Sequence, residues 1–154
     1  MIQGKWFAPG QDLSEVNALR SEIFQRGRDA LDDLSWNVVV YQDGVPAAAG
    51  RVWWEAGAYR LGEIGVLPSH RGRRLGDLVL RLLLFKAQGH FAREVRLLSP
   101  ADCAGFFSRL GFRPDPAVPS AAGAPVEMLL PGDQIDQDTC KNCHRADCPS
   151  RREA

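Results

Sequence analysis

The chain has 154 residues, 45% of them hydrophobic and 25% charged, with nineteen Lys and Arg against nineteen Asp and Glu. This length gives one domain, and this much apolar content can bury a core, which excludes global disorder. A net charge of zero excludes a protein that coats nucleic acid through overall charge.

In chain order, MIQGKWFAPG lacks a basic region followed by an apolar one, so no secretory leader is expected. Asp12-Leu-Ser-Glu15 has the form of a capping box. Val16, Leu19, Ile23 and Phe24 then recur at helical spacing, predicting about three turns of helix ended by Gly27. The stretch 27–35 reads as an acidic loop or a short second helix. Trp36 to Gln42 is β-branched and aromatic, Asp43-Gly44 is a hairpin turn, and Ala47 to Glu55 pairs back. A third strand runs from Tyr59 to Leu67 and stops at Pro68. From Leu75 to Gly89 the pattern turns helical, with Asp77 and Arg81 as an i,i+4 pair. This greasiest stretch is interrupted by Arg81 and Lys86 and is too short to span a bilayer. No membrane partner is expected, and a cytoplasmic location is.

Glu94 to Leu98 reads as a strand. Ser99-Pro100-Ala-Asp102 reads as a helix start with Ser as cap, Cys103, Phe106, Phe107 and Leu110 as its apolar face, and Gly111 as its C-terminal cap. A proline-rich loop leads to a last strand, Val126 to Leu130. The order α–β–β–β–α–β–α–β predicts a mixed α/β sheet with helices on both faces. Residues after Pro131 are polar and aperiodic, so 1–131 is expected to be the domain and 132–154 a polar C-terminal tail.

The segment richest in chemistry is GEIGVLPSHRGRRLG, residues 62–76. A strand ends, a short loop holding Arg71, Gly72, Arg73 and Arg74 follows, and a long helix starts at Leu75-Gly76. A helix N-terminus presents unpaired N–H groups and the positive end of the dipole, and glycine lets a backbone approach an anion closely. The combination reads as an anion cradle suited to a diphosphate; the alternative is a solvated basic turn. Neither G-x-G-x-x-G nor GK[ST] occurs, so the common nucleotide motifs do not apply.

Ile64-Gly-Val66-Leu-Pro68-Ser-His-Arg71-Gly72-Arg-Arg74-Leu-Gly76 resembles the signature of the GNAT superfamily of acyl-CoA N-acyltransferases, a strand I-x-V-x-P-x-x-R-G running into [Q/R]-x-x-G-x-[G/A]. Phe106-Phe107-Ser-Arg-Leu110-Gly111-Phe112 is similar to that family's F-Y-x-K-L-G-F, and the resemblance covers roughly residues 1–131. It implies a mostly antiparallel mixed central sheet flanked by helices, and transfer of an acetyl group from acetyl-CoA to a primary amine of a small molecule or peptide. It implies that Arg71, Gly72, Arg73, Arg74, Leu75 and Gly76 bind the pyrophosphate. Ile64, Gly65 and Val66 would pair with the pantetheine arm, and the Val66 N–H would stabilise the oxyanion. Arg74 stands where the family usually has a glycine. Phe107 stands at the cofactor where many members have a tyrosine that protonates the leaving thiolate. The resemblance leaves the oligomeric state open, a homodimer included.

Glu63 lies where relatives often place a carboxylate base; it reads equally as a strand residue paired with an arginine. Ser108 or water is the alternative proton donor to the thiolate. Cys103 reads as a small core residue. Trp53 and Trp54 face opposite sides of their strand, one toward the core and one available to an acceptor pocket. The stretch 12–33 carries acidic residues 12, 15, 22, 29, 32 and 33 against Arg20, Arg26 and Arg28, an acidic lip that would favour a cationic amine. From His70 to Arg96 the balance reverses, with seven basic residues against two acidic ones. In the tail, Cys140, Cys143, His144 and Cys148 have spacing compatible with zinc; a disordered or partner-binding tail and a redox role are the alternatives. A second function remains open beside the enzyme: a non-catalytic acyl-CoA-binding sensor or partner module.

Overall fold

Strand β1 (Ile2–Phe7) precedes helix α1 (Ser14–Phe24), and a 3-10 turn (Ala30–Leu34) leads into β2 (Trp36–Gln42), β3 (Val45–Glu55) and β4 (Ala58–Val66). A second 3-10 turn (Pro68–His70) leads to α2 (Leu75–Gly89), followed by β5 (Glu94–Ser99), a turn (Ala101–Cys103), the short α3 (Ala104–Ser108), β6 (Arg113–Pro114) and β7 (Val126–Pro131). This architecture comes from a computed structural model, which describes residues 1–135.

The strands form one sheet in the order β1-β2-β3-β4-β5-β7-β6. Every pairing is antiparallel except β4 with β5. A parallel pair needs a crossover connection, and α2 supplies it. Alternation along the strands sorts the two faces. Val38, Val40, Ala48 and Val52 join Val79, Leu80, Leu83 and Leu84 of α2 in the main core. Phe7, Val39 and Ala49 pack with Val16 and Leu19 of α1 in a second cluster. Helix α2 crosses β3 closely at Gly50, where a Cβ would lie 2.7 Å from Val79 and 2.8 Å from Leu83. Trp53 is buried and Trp54 exposed, as their opposite faces require.

Several expectations are corrected. The sequence reading contains no β1, because IQGKWF is exposed along most of its length and is held by its pairing with β2 rather than by a buried stripe. The capping box does not close: Asp12 accepts from the Ser14 N–H and hydroxyl, while Glu15 accepts from the Tyr41 hydroxyl. Helix α1 ends at a left-handed Gln25 rather than at Gly27. Ser99 is no helix cap, since it closes β5 and its hydroxyl donates to the Pro100 carbonyl; the helix behind it keeps only residues 104–108. Packing continues past Pro131, with Ile135 buried in the main core. No helix among the described residues is long and apolar enough to cross a membrane.

The feature that positions the site is a partial separation of β4 from β5. The two strands pair only over Tyr59–Leu61 and Val95–Leu97. Beyond that, residues 62–66 stay on β3 while Leu98 and Ser99 follow β7. A notch opens between them.

Candidate active site

Backbone register decides what the notch is lined with. The Leu67 N–H donates to the Ala47 carbonyl at 2.8 Å, which makes that facing pair hydrogen-bonded. Facing pairs alternate in an antiparallel ladder, so Val66, opposite Ala48, turns its own N–H and C=O away from β3 and into the notch. Two residues earlier the ladder is broken. Gly65 faces Ala49 and Gly62 faces Arg51, so Glu63 and Ile64 together oppose Gly50. This is a β-bulge, with Glu63 at φ +50°, and such bulges re-aim side chains beside functional sites.

The loop after β4 closes the notch at one end. Gly72 has φ +82° and Arg74 has φ +61°, both in the left-handed region that glycine enters without strain. Arg74 therefore occupies a glycine-like conformation at the N-cap of α2. The first bond of that helix runs from the Leu78 N–H to the Arg74 carbonyl at 3.1 Å. The N–H groups of Leu75, Gly76 and Asp77 therefore precede the helical ladder, at the positive end of its dipole. A Cβ on Gly76 would lie 3.6 Å from Val66 Cγ2 and 3.8 Å from Phe106 Cζ, so strand end, helix start and α3 meet there. The Arg71 Nε reaches the Val66 carbonyl at 3.4 Å, and Arg73 donates to Gln42 at 2.8 Å. The structure thus brings Ile64, Gly65, Val66 and the segment 71–76 to one place.

Phe107 lies deeper. It is 6% exposed, with ring contacts to Phe106 and Phe112 at 5.1 and 6.1 Å between centroids, and it carries no proton to donate. The neighbouring Ser108 hydroxyl donates to the Ala104 carbonyl at 2.9 Å. Burial, and Asp102 beside it, push the Cys103 thiol up, away from the thiolate a nucleophile needs.

On the α1 face the charges are paired within the fold. Arg20 and Asp32 are 1% and 0% exposed and meet at 2.8 Å; Arg20 also donates to Asn37 at 2.7 Å. Arg51 bridges Asp29 at 2.7 Å and Asp32 at 3.1 Å. Its hydrogen bonds hold the Asp29 carboxyl below the usual carboxylate value. Burial works against the Asp32 carboxylate, but hydrogen bonds from Arg20 and the Asp29 N–H outweigh it and the net shift is downward. Arg28 pairs with Asp33, and Lys5 lies 3.7 Å from Glu15. The expected acidic lip is corrected accordingly: Glu15, Asp29, Asp32 and Asp33 face cations of the chain itself.

Glu63 is 9% exposed at its side chain. Both of its oxygens are engaged by Arg26, Nη2 to Oε1 at 2.7 Å and Nε to Oε2 at 3.3 Å, and Arg51 lies 3.9 Å away. Neither the Arg26–Glu63 pair nor the Arg20–Asp32–Arg51 network has a local signal in the sequence, because the partners lie 12 to 37 residues apart. The zinc candidates Cys140, Cys143, His144 and Cys148 lie outside the described residues. Among the described residues, no group of three or more His, Cys, Asp or Glu is placed to hold a metal.

A family model described as an acetyltransferase (GNAT) domain matches residues 34–114. The uncharacterized N-acetyltransferase YjcF of Bacillus subtilis strain 168 is 27% identical over 111 residues, which are 67% of this chain and 79% of YjcF. Among solved structures, the ribosomal-protein-S18-alanine N-acetyltransferase of Escherichia coli superposes with a TM-score of 0.68 at 18% identity, over 90% of this chain and 98% of its own. A GNAT family acetyltransferase of Brucella melitensis in complex with acetyl-CoA superposes with a TM-score of 0.61 at 21% identity, over 85% of this chain and 88% of its own. Both share the fold.

Proposed function

The chain belongs to the GNAT family of acetyltransferases, and on that premise we propose that it moves an acetyl group from acetyl-CoA directly to a primary amine within a ternary complex. The observation that carries this reading is the notch: an unpaired edge of β4, with the Val66 N–H turned into it, ending at the free N–H groups of α2. The acetyl-CoA bound to the Brucella relative supports the choice of donor.

In this reading the pyrophosphate sits on the N–H groups of residues 72–76, with Arg71, Arg73 and Arg74 adding charge. The pantetheine arm lies along Ile64, Gly65 and Val66, and the thioester oxygen meets the Val66 N–H. An alkylamine has a pKa near ~10.4 and arrives as ammonium. Glu63 takes that proton, directly or through water, and the freed nitrogen attacks the thioester carbon. The Val66 N–H stabilises the oxyanion; the carbonyl reforms, the C–S bond breaks and the thiolate leaves. A thiol has a pKa near ~8.5, so the thiolate departs at neutral pH without the proton a tyrosine would give. General acid catalysis is worth ~10²–10⁴-fold, so Phe107 makes for a slower enzyme rather than an inactive one.

The buried, proton-free Phe107 and the engaged Glu63 favour one second reading, a non-catalytic acyl-CoA-binding module. Release of CoA across a panel of amines separates the two. The enzyme turns over at least one amine, and Glu63→Gln lowers its kcat by about 10²-fold or more. A protein that binds acetyl-CoA tightly and acetylates none is the module. The zinc expectation for the tail rests on cysteine spacing alone: stoichiometric zinc lost in Cys140→Ser supports it, and a reduced, metal-free protein contradicts it.

A further inference from the structure

We propose that Arg26 sets the class of acceptor: in the free protein its guanidinium holds the place at Glu63 that the alkylammonium of the incoming amine takes. This inference rests on Glu63 as the proton acceptor.

Helix α1 is brought against β4 at Gly65, where a Cβ would come within 2.6 Å of both Ile23 and Phe24. The left-handed Gln25 then turns the chain, and Arg26 lies over the face of Phe24, 5.1 Å from its centroid, reaching Glu63 from the loop beyond the helix. The bulge presents Glu63 from the other side. Two cations face this carboxylate, and they differ in freedom. Arg51 is buried, fixed by Asp29 and Asp32, and its charge together with that of Arg20 balances those two aspartates. Arg26 is 63% exposed at its side chain. The charge of Glu63 is therefore balanced by the exposed partner, not the buried one.

For Glu63 to take the proton directly rather than through a water, the acceptor nitrogen comes within ~2.6–3.2 Å of a carboxylate oxygen. Both oxygens are engaged by the guanidinium fork and the Glu63 side chain is only 9% exposed, so an acceptor that reaches the carboxylate directly takes the place of Arg26. An alkylammonium brings the same charge and the same kind of donor, and the exchange leaves the site neutral. A neutral or anionic group in that place would leave Glu63 without its cation. The displaced arginine keeps its proton, and the ammonium proton passes to Glu63. Arg26 thus competes with acceptors, and it admits cationic amines in preference to neutral ones.

The test is Arg26→Ala, with Arg26→Lys as the charge-keeping control and the melting temperature of each measured beside the parent. Steady-state kinetics use primary alkylamines from methylamine to 1,4-diaminobutane. Removing an occupant of the site raises the competent fraction, so KM for the amine falls about 3–10-fold while KM for acetyl-CoA stays unchanged, and Lys restores the higher value. An amine KM that is unchanged or raised overturns the proposal. Calorimetric titration of 1,4-diaminobutane into the CoA complex reads the same quantity without turnover. Tighter binding to Arg26→Ala supports the proposal; equal binding to both proteins, or binding to neither, overturns it. Glu63→Gln is judged separately: if it is as active as the parent, the base assignment fails whatever Arg26 does. If it is inactive while Arg26→Ala leaves KM unchanged, the base stands and the role of Arg26 falls.

Discussion

The two regions that meet at β4 treat their polar groups in opposite ways. Toward α1, Arg20, Asp29, Asp32, Asn37 and Arg51 are matched to one another, most of them inside the fold. Toward α2, backbone donors point into a notch, and a non-glycine residue holds a left-handed conformation at the helix start. Matched buried charges fix geometry, whereas unmatched donors invite an anion. The same kind of substitution should therefore cost stability on one side and ligand affinity on the other.

The largest expected effect tests the first half of that contrast. Asp32→Ala leaves Arg20 and Arg51 buried without their shared partner, and breaking a buried pair in this way costs about 3–5 kcal/mol, read from urea unfolding. A loss under about 1 kcal/mol would show that these charges are not structural. Acid should act on the same network. The carboxyls of Asp29 and Asp32 lie below their usual value of 3.8 in the folded protein, so the unfolded chain protonates first as the pH falls. Their contribution is then full above about pH 4 and is lost as the pH drops through the lowered folded values. Urea midpoints taken from pH 6 downward should decline in that window, and the decline should be smaller in Asp32→Asn.

The second half predicts a change in binding with little change in stability. Arg71→Ala should weaken acetyl-CoA binding about tenfold, or ~1.4 kcal/mol, with the melting temperature within about a degree of the parent. A stability loss without an affinity loss would reverse the contrast. The smallest effect belongs to Arg74. A left-handed conformation costs residues with a Cβ about 1–2 kcal/mol, β-branched ones the most, and glycine nothing. Arg74→Gly should therefore match the parent within about 1 kcal/mol, and Arg74→Val should fall below it by about as much.

Much of the fold could be read from local pattern. Strand β2 and helix α2 were predicted with the bounds observed, because a β-branched run and a strong apolar period state their own structure. The loop running into a helix start at residues 71–76 was legible for a similar reason, since its glycines, arginines and helix start lie within six residues. Strand β1 was not, since an exposed edge strand has no buried stripe to announce it. The capping readings failed at Glu15 and Ser99 because each had a better partner, Tyr41 for one and the β5 pairing for the other. The pairing of Glu63 with an arginine was one of two readings of that residue, but which arginine was beyond reach. Arg26 is 37 residues away, brought there by the close approach at Gly65 and the bulge opposite Gly50, and neither has a local signature.

The central claim is that backbone donors of β4 and α2 form one acetyl-CoA site. Residue-resolved hydrogen exchange with and without acetyl-CoA tests it most directly, because the exchanging atoms are the ones assigned. The account predicts slowed exchange at Val66 and at residues 72–77, with Val38 to Val40, already buried in β2, unchanged. Protection that spares these amides and appears elsewhere, or no protection at saturating acetyl-CoA, would contradict it.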